Sequence, residues 1–145
     1  RKHMIDISII DNSKFFSTDI ELTRSGPTFT SDTLEELVRR HRNHDQFFLM
    51  LGSDAIKTFP LWNNPKRILE LTKIILAERK YEVSPTLLKE LSQISDISGK
   101  IIFLKSKMLD ISSSDIRRKI SAGESIQGLV PNQVQEFISK LKIYK

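Results

Sequence analysis

Three short apolar runs, set between helical patterns, constrain this chain more than any other feature. Gln46 to Leu51 carries Phe47, Phe48, Leu49, Met50 and Leu51 without a polar break and stops at Gly52. Lys73 to Ala77 carries Ile74, Ile75 and Leu76, and Lys100 to Leu104 carries Ile101, Ile102 and Phe103. Strand side chains point alternately to two faces, so an unbroken apolar run predicts a strand covered on both. Between and after the runs come helical segments. Asp54 to Thr58 and Pro65 to Leu71 precede the second run, and Pro85 to Ile94, with Leu87, Leu88 and Leu91, precedes the third. Two helices close the chain, about Ser113 to Ala122 and Pro131 to Leu141. Gly123 is placed to end the first, and Pro131 suits the first turn of the second. Strands alternating with helices predict an α/β layer fold built on a parallel sheet.

The beginning of the chain is less regular. Arg1 to Asn12, with Met4, Ile5, Ile7, Ile9 and Ile10, suits the end of a helix, so the sequence is expected to begin inside a larger protein. From Phe15 to Leu22, the residues Phe16, Thr18, Ile20 and Leu22 alternate with their neighbours at the strand period. Arg24-Ser25-Gly26-Pro27 is turn chemistry. A helix is predicted from about Ser31 to Arg42, capped by Ser31 or Thr30, with Asp32, Glu35 and Glu36 towards its start and Arg39, Arg40 and Arg42 towards its end. No repeat or linker divides residues 1–145, which read as one domain.

Composition narrows the function classes. There is no cysteine, which excludes disulfides and thiolate metal sites and suits a reducing cytoplasm. No apolar run is long enough to span a bilayer, and no series reads as a signal peptide. The formal net charge is +5, which favours anionic partners such as nucleotides, nucleic acid or phospholipid surfaces. It is also what a solvated basic surface gives.

In parallel α/β sheets, ligands bind beyond the carboxyl ends of the strands. After the first run comes Gly52-Ser53-Asp54, with Trp62 a short way on. Gly52 would let a ligand approach the backbone, Asp54 could accept hydrogen bonds from ribose hydroxyls, and Trp62 offers a flat surface to a heteroaromatic ring. The same residues also read as a Gly turn, a capping Asp and a core Trp. After the third run comes Leu109-Asp110-Ile111-Ser112-Ser113-Ser114-Asp115-Ile116-Arg117-Arg118. Consecutive serines opening a helix set hydroxyl donors beside free backbone N–H groups, and Arg117 can grip two phosphate oxygens. A plain serine cap with a solvated basic face would look alike. Pro27-Thr28-Phe29-Thr30 could hold a carboxylate, amide or ring, or be a simple turn.

The histidines are His3, His41 and His44. His41 and His44 stand among arginines that disfavour a metal ion and read as surface residues, so no metal site is expected from side chains. Walker, Gly-x-Gly-x-x-Gly, metalloprotease and nucleophile-elbow motifs are absent.

Together these pieces resemble the bacterial nicotinate-nucleotide adenylyltransferases. The resemblance runs from Ser17-Thr18-Asp19-Ile20-Glu21-Leu22 through Gly26-Pro27-Thr28-Phe29-Thr30 and Asp32-Thr33-Leu34 to Gly52-Ser53-Asp54-Ala55, Pro60 and Trp62. It resumes at Leu109 to Arg118 and ends with Gly123-Glu124-Ser125-Ile126 and Leu129-Val130-Pro131. The serine-Arg element alone would indicate only the broader nucleotidyltransferase superfamily. The Thr-Phe-Thr turn and the spacing from Gly-x-Asp to Trp point to the pyridine-nucleotide branch.

The resemblance implies a Rossmann-like nucleotidyltransferase fold. It also implies adenylyl transfer from ATP to nicotinate mononucleotide, giving nicotinate adenine dinucleotide and pyrophosphate in cytoplasmic NAD synthesis. It assigns Gly52, Asp54, Ile111, Ser112, Ser113 and Arg117 to ATP, with Arg117 also at the reacting phosphates. It assigns Thr28, Phe29, Thr30, Trp62 and Arg79 to nicotinate mononucleotide. Mg²⁺ would accompany ATP. Nucleic acid and membrane partners are not implied, and a homo-oligomer is admitted. The family's N-terminal Gly-x-Phe-x-Pro-x-His-x-Gly-His segment, with its first strand and two histidines, is not in this sequence. The sheet is therefore expected to lack a central strand, and the chain alone to be an incomplete catalyst. Two other readings stay open. One is a related nucleotidyltransferase using nicotinamide mononucleotide or phosphopantetheine. The other is a non-catalytic nucleotide- or nucleic-acid-binding module.

Overall fold

The computed structural model describes residues 1–41, 46–77, 84–104 and 111–144. The chain divides into two compact units, one comprising Arg1–Asp19 and Asp110–Lys145 and the other Ile20–Leu109.

The sheet lies in the second unit. Its strands are β1 (Phe47–Gly52), β2 (Thr72–Ala77) and β3 (Ile101–Leu104), in that order and all parallel. The predicted runs are thus the strands. Around them stand α2 (Thr30–Arg40), α3 (Ser53–Thr58), a 3₁₀ turn (Phe59–Leu61), α4 (Pro65–Leu71) and α5 (Pro85–Ile94). Ser84 caps α5 by accepting the Leu87 N–H at 3.2 Å, and Pro85 occupies the first turn, where its missing N–H is harmless. Leu34, Leu51, Ile56, Phe59, Ile68, Leu69, Ile74, Leu76, Leu87 and Leu91 form one core between the helices and one sheet face.

Burial of the strands corrects the expectation of two covered faces. β2 is central and largely buried, but β1 alternates and β3 is mostly exposed. Leu49, Ile74 and Ile101 are in register on the core side. On the other face Met50 and Ile102 flank Ile75 and are 62% and 40% exposed. An apolar run reports the chemistry of both faces, not how many are covered.

The strand expected from Phe15 to Leu22 does not form. Residues 15–19 have no regular structure and residues 20–23 form a turn. Ile20 is buried, whereas Phe16 is 87% and Leu22 69% exposed. Alternation is insufficient without a partner ladder, and the three-stranded sheet does not include this segment. The turn at Gly26 does form, with φ +85°, which glycine adopts without a Cβ penalty. Helix α2 starts one residue before its predicted beginning. Its N-cap is Phe29, which makes no side-chain cap bond, so neither Thr30 nor Ser31 is the cap.

The first unit is helical: α1 (Lys2–Ile9), α6 (Ser113–Ser121) and α7 (Asn132–Leu141). Ile126, Val134 and Ile138 form its buried centre, with Met4, Ile7, Ile116 and Ile120 packed against them. Helix α6 ends as its glycine predicts. Gly123 has φ +72°, its N–H bonds Ile120 O, and the next N–H, of Glu124, bonds Lys119 O at 2.8 Å. Pro131 is the N-cap of α7, one residue ahead of the first turn.

Candidate functional site

The serine-Arg element forms the start of α6. Ser112 is the N-cap, its hydroxyl accepting the Asp115 N–H at 3.0 Å and donating to Asp115 Oδ2 at 2.6 Å. This reciprocal pairing holds the first turn. The Asp115 carboxyl is held below its ordinary range, first by the Ser112 hydroxyl and then by the Arg118 guanidinium. Ser112 thus has a capping duty in this structure, and Arg118 is paired with Asp115 at 3.3 Å.

Arg117 differs. Its Nη2 donates to Ser114 Oγ at 3.2 Å, and it has no carboxylate partner among the described residues. Four residues apart on one helix, Ser113 and Arg117 share a face. Both line an open cavity of about 720 Å³, with Arg1, Ser8, Val130 and Tyr144 also in its wall. The hydroxyl side chains of Ser8, Ser113 and Tyr144, the guanidinium side chains of Arg1 and Arg117 and an apolar floor suit a ligand that is anionic at one end and flat or apolar at the other. Ile111 is half-buried just ahead of the cap.

The second set of predicted residues belongs to the other unit. Thr28 and Phe29 are exposed and lead directly into α2, with Thr30 as its first residue. The uncapped helix start leaves backbone N–H groups and the positive end of the dipole free of a side-chain acceptor. Gly52 ends β1 with φ −82°, an ordinary value, and a Cβ there would meet nothing within 4 Å. Its smallness therefore serves neither a turn nor packing among the described residues. Asp54 is in the first turn of α3 with its side chain 88% exposed, 3.8 Å from Lys57. Trp62 follows the 3₁₀ turn, half-buried against Phe59, with ring centroids 5.4 Å apart. Its backbone N–H bonds Phe59 O at 3.0 Å and its indole N–H bonds Thr58 Oγ1 at 3.3 Å, so the main chain and the ring are each held by one bond.

Sequence reasoning missed Ser31 and Asn63 as partners. The Ser31 hydroxyl donates to Asn63 Oδ1 at 3.1 Å across 32 residues, a pairing without a local signal. Arg79 lies outside the described residues, as does His44. His41 is the C-cap of α2, and His3 packs on Phe137 with centroids 4.8 Å apart. A further cleft of about 500 Å³ is lined by side chains already ion-paired with one another, Arg24 and Arg39 with Glu36 and Arg67 with Glu35. No helix among the described residues is long and apolar enough to cross a membrane.

A cytidylyltransferase-like family model matches residues 1–119. A probable nicotinate-nucleotide adenylyltransferase of Clostridium acetobutylicum is 36% identical over 145 residues, spanning 99% of this chain and 72% of that protein. One from Dehalococcoides mccartyi is 32% identical over 144 residues, spanning 99% and 71%. The chain belongs to the nicotinate-nucleotide adenylyltransferase family. The solved nicotinic acid mononucleotide adenylyltransferase of Plasmodium falciparum complexed with APC superposes with a TM-score of 0.76 at 26% identity. That match covers 99% of this chain and 74% of the other. The same enzyme complexed with NaAD gives a TM-score of 0.75. Family membership and these likenesses bear out the Rossmann-like reading of the sheet and its helices.

Proposed function

We propose that this chain serves adenylyl transfer from ATP to nicotinate mononucleotide in NAD synthesis. A phosphate oxygen of the mononucleotide attacks the α-phosphorus of ATP. The bond from that phosphorus to the bridging oxygen breaks, pyrophosphate leaves, and nicotinate adenine dinucleotide forms. Such a reaction needs no protein nucleophile. It needs positioning and stabilisation of negative charge.

One observation carries the assignment of phosphate binding: the guanidinium of Arg117, without a carboxylate partner among the described residues, shares the cavity wall with Ser113. In this reading Ser113 and Arg117 hold phosphate oxygens, and Ile111 and Ser112 adjoin the nucleotide. Gly52 and Asp54 adjoin ribose, Asp54 as hydrogen-bond acceptor. Trp62 stacks on the pyridine ring beside Phe29, and Thr28, Thr30 and the N–H groups opening α2 face its carboxylate. Donors alone at a helix start favour an acid over an amide. Arg79 joins the same substrate.

Magnesium would neutralise charge on the ATP phosphates. Among the described residues no three His, Asp or Glu side chains gather to hold a metal, so no side chain is assigned to the ion. In this reading the chain works in the cytoplasm, with nucleotides rather than nucleic acid as partners. The test is pyrophosphate release, with ATP and either pyridine mononucleotide, by this chain joined to the family's N-terminal Gly-x-Phe-x-Pro-x-His-x-Gly-His segment. Release that prefers the nicotinate form by tenfold or more is expected. Release dependent on nicotinamide mononucleotide or phosphopantetheine instead, or nucleotide binding without release, would replace this reading.

A further inference from the structure

We propose that Ser31 and Asn63 form a positioning pair that sets the gap between the Phe29–Thr30 turn and the Trp62 ring. The inference rests on the proposed nicotinate mononucleotide reading of that turn and ring. Ser31 and Thr72 are the buried polar side chains among the described residues, each 3% exposed. Thr72 satisfies its hydroxyl locally, by donating to Ile68 O at 2.9 Å. The Ser31 hydroxyl lies 3.4 Å from Asp32 Oδ1 on its own helix and 3.1 Å from Asn63 Oδ1 across 32 residues, and the bond to Asn63 is the shorter. A buried hydroxyl without a well-placed acceptor is unfavourable, which favours keeping Asn63 against Ser31.

The two residues are adjacent to the groups they would position. Ser31 directly follows Thr30, and Asn63 directly follows Trp62. The Trp62 indole is oriented from its own segment, by Thr58 and Phe59. Beyond Asn63, the chain is fixed by Asn64, which takes the left-handed conformation at φ 49° and accepts the Arg67 N–H at 3.4 Å. Asn tolerates that conformation better than most residues. The Arg67–Glu35 ion pair, 2.8 Å long, also joins α4 to α2, but it is exposed and water competes for it. The Ser31–Asn63 bond is sheltered at its Ser31 end, which is buried, while Asn63 is exposed. Without it, the ring and the helix start would sample a range of separations, and a rigid aromatic acid would bind both less well.

Trp62 is the sole tryptophan, so its emission reports this site directly. Nicotinate mononucleotide is titrated against the full chain while Trp62 fluorescence is followed, and KM for each substrate is measured alongside with the family's N-terminal segment joined to the chain. Ser31→Ala and Asn63→Ala are each expected to weaken mononucleotide binding by about threefold to tenfold. KM for ATP should stay within twofold. The double variant should be no worse than either single one, because both remove the same bond. Asn63→Asp keeps the acceptor oxygen and should restore near-normal binding. Single variants that bind as wild type does, while the wild type responds normally, overturn the pair and leave the substrate reading intact. Equal rises in both KM values, additive losses or failed rescue also overturn it. A wild type whose Trp62 emission ignores the mononucleotide overturns the substrate reading and this proposal with it.

Discussion

Arg117→Ala should separate substrate binding from stability, with Arg118→Ala as its internal control. Arg117 is exposed and its hydrogen bond goes to a neighbouring serine on its own helix, Ser114 at 3.2 Å. Removing such a side chain typically changes folding stability by less than about 0.5 kcal/mol, or roughly 2 °C in Tm for a chain of this size. A charge-assisted hydrogen bond to a phosphate is worth about 1.5–3 kcal/mol. Its loss should therefore lower kcat/KM for ATP by about tenfold to 150-fold. Arg118 carries the same charge one position on but is committed to Asp115 at 3.3 Å. Arg118→Ala should leave kcat/KM within about twofold, a surface charge being largely screened at physiological salt. The assay is pyrophosphate release against ATP concentration at fixed ionic strength, with thermal melts of both variants. Equal losses in the two variants would mean that a diffuse positive field serves the phosphates. Unchanged kinetics in Arg117→Ala would remove it from the site.

Two further outcomes follow from the core and from the carboxylates. Ile68→Ala removes a fully buried side chain from the centre of the sheet-bearing unit and should cost about 2–5 kcal/mol in denaturant unfolding; a loss under about 1 kcal/mol would show that the site collapses freely. The carboxyls of Asp6, Glu36 and Asp115 are all held below their ordinary range, Asp6 chiefly by Ser17, Glu36 by Arg40 and Asp115 by Ser112. Their charged forms are favoured on folding, so their contribution is complete above the unfolded carboxylate range and falls as pH drops through the lowered folded values. Stability measured from pH 7 downward should therefore hold until the acid range, and Asp115→Asn should flatten part of the decline. A decline centred near pH 6 to 7 would contradict this assignment.

Much of the fold was legible because its signals are local. Pro65 and Pro85 mark helix starts, Gly123 marks a helix end, and three apolar runs mark three strands. What failed depends on neighbours distant in sequence. The alternation at Phe16, Ile20 and Leu22 has strand character, but a strand needs a partner ladder, which composition does not report. The runs at Phe48–Met50 and Ile102–Leu104 are apolar on both faces, yet helices of their unit pack against only one. The candidate site divides in the same way. Ser113 and Arg117 could be read from helix spacing, and Trp62 from its place after a strand end. The Ser31–Asn63 bond could not, because a serine at a helix start reads as a cap, and here Phe29 takes that position.

The basic balance of the chain takes on a different meaning once its ion pairs are placed. Read as a total, +5 suggests a surface for any polyanion. In the structure Arg24, Arg39 and Arg40 converge on Glu36, while Arg67 is held by Glu35 and Glu70. Arg118 is held by Asp115, and Lys119 by Glu124 at 2.8 Å. These cations are already neutralised by near neighbours, and a polyanion would have to displace a carboxylate to reach them. Arg117 is surrounded by the same residues on α6, but its nearest hydrogen-bond partner is a neutral serine. Its charge has no carboxylate partner among the described residues, and it shares the wall of an apolar-floored cavity with Arg1 and Ser113. In the proposed reading such a cavity suits a compact phosphate group with an attached flat ring, whereas a long, uniformly charged strand gains affinity from many phosphate contacts at once.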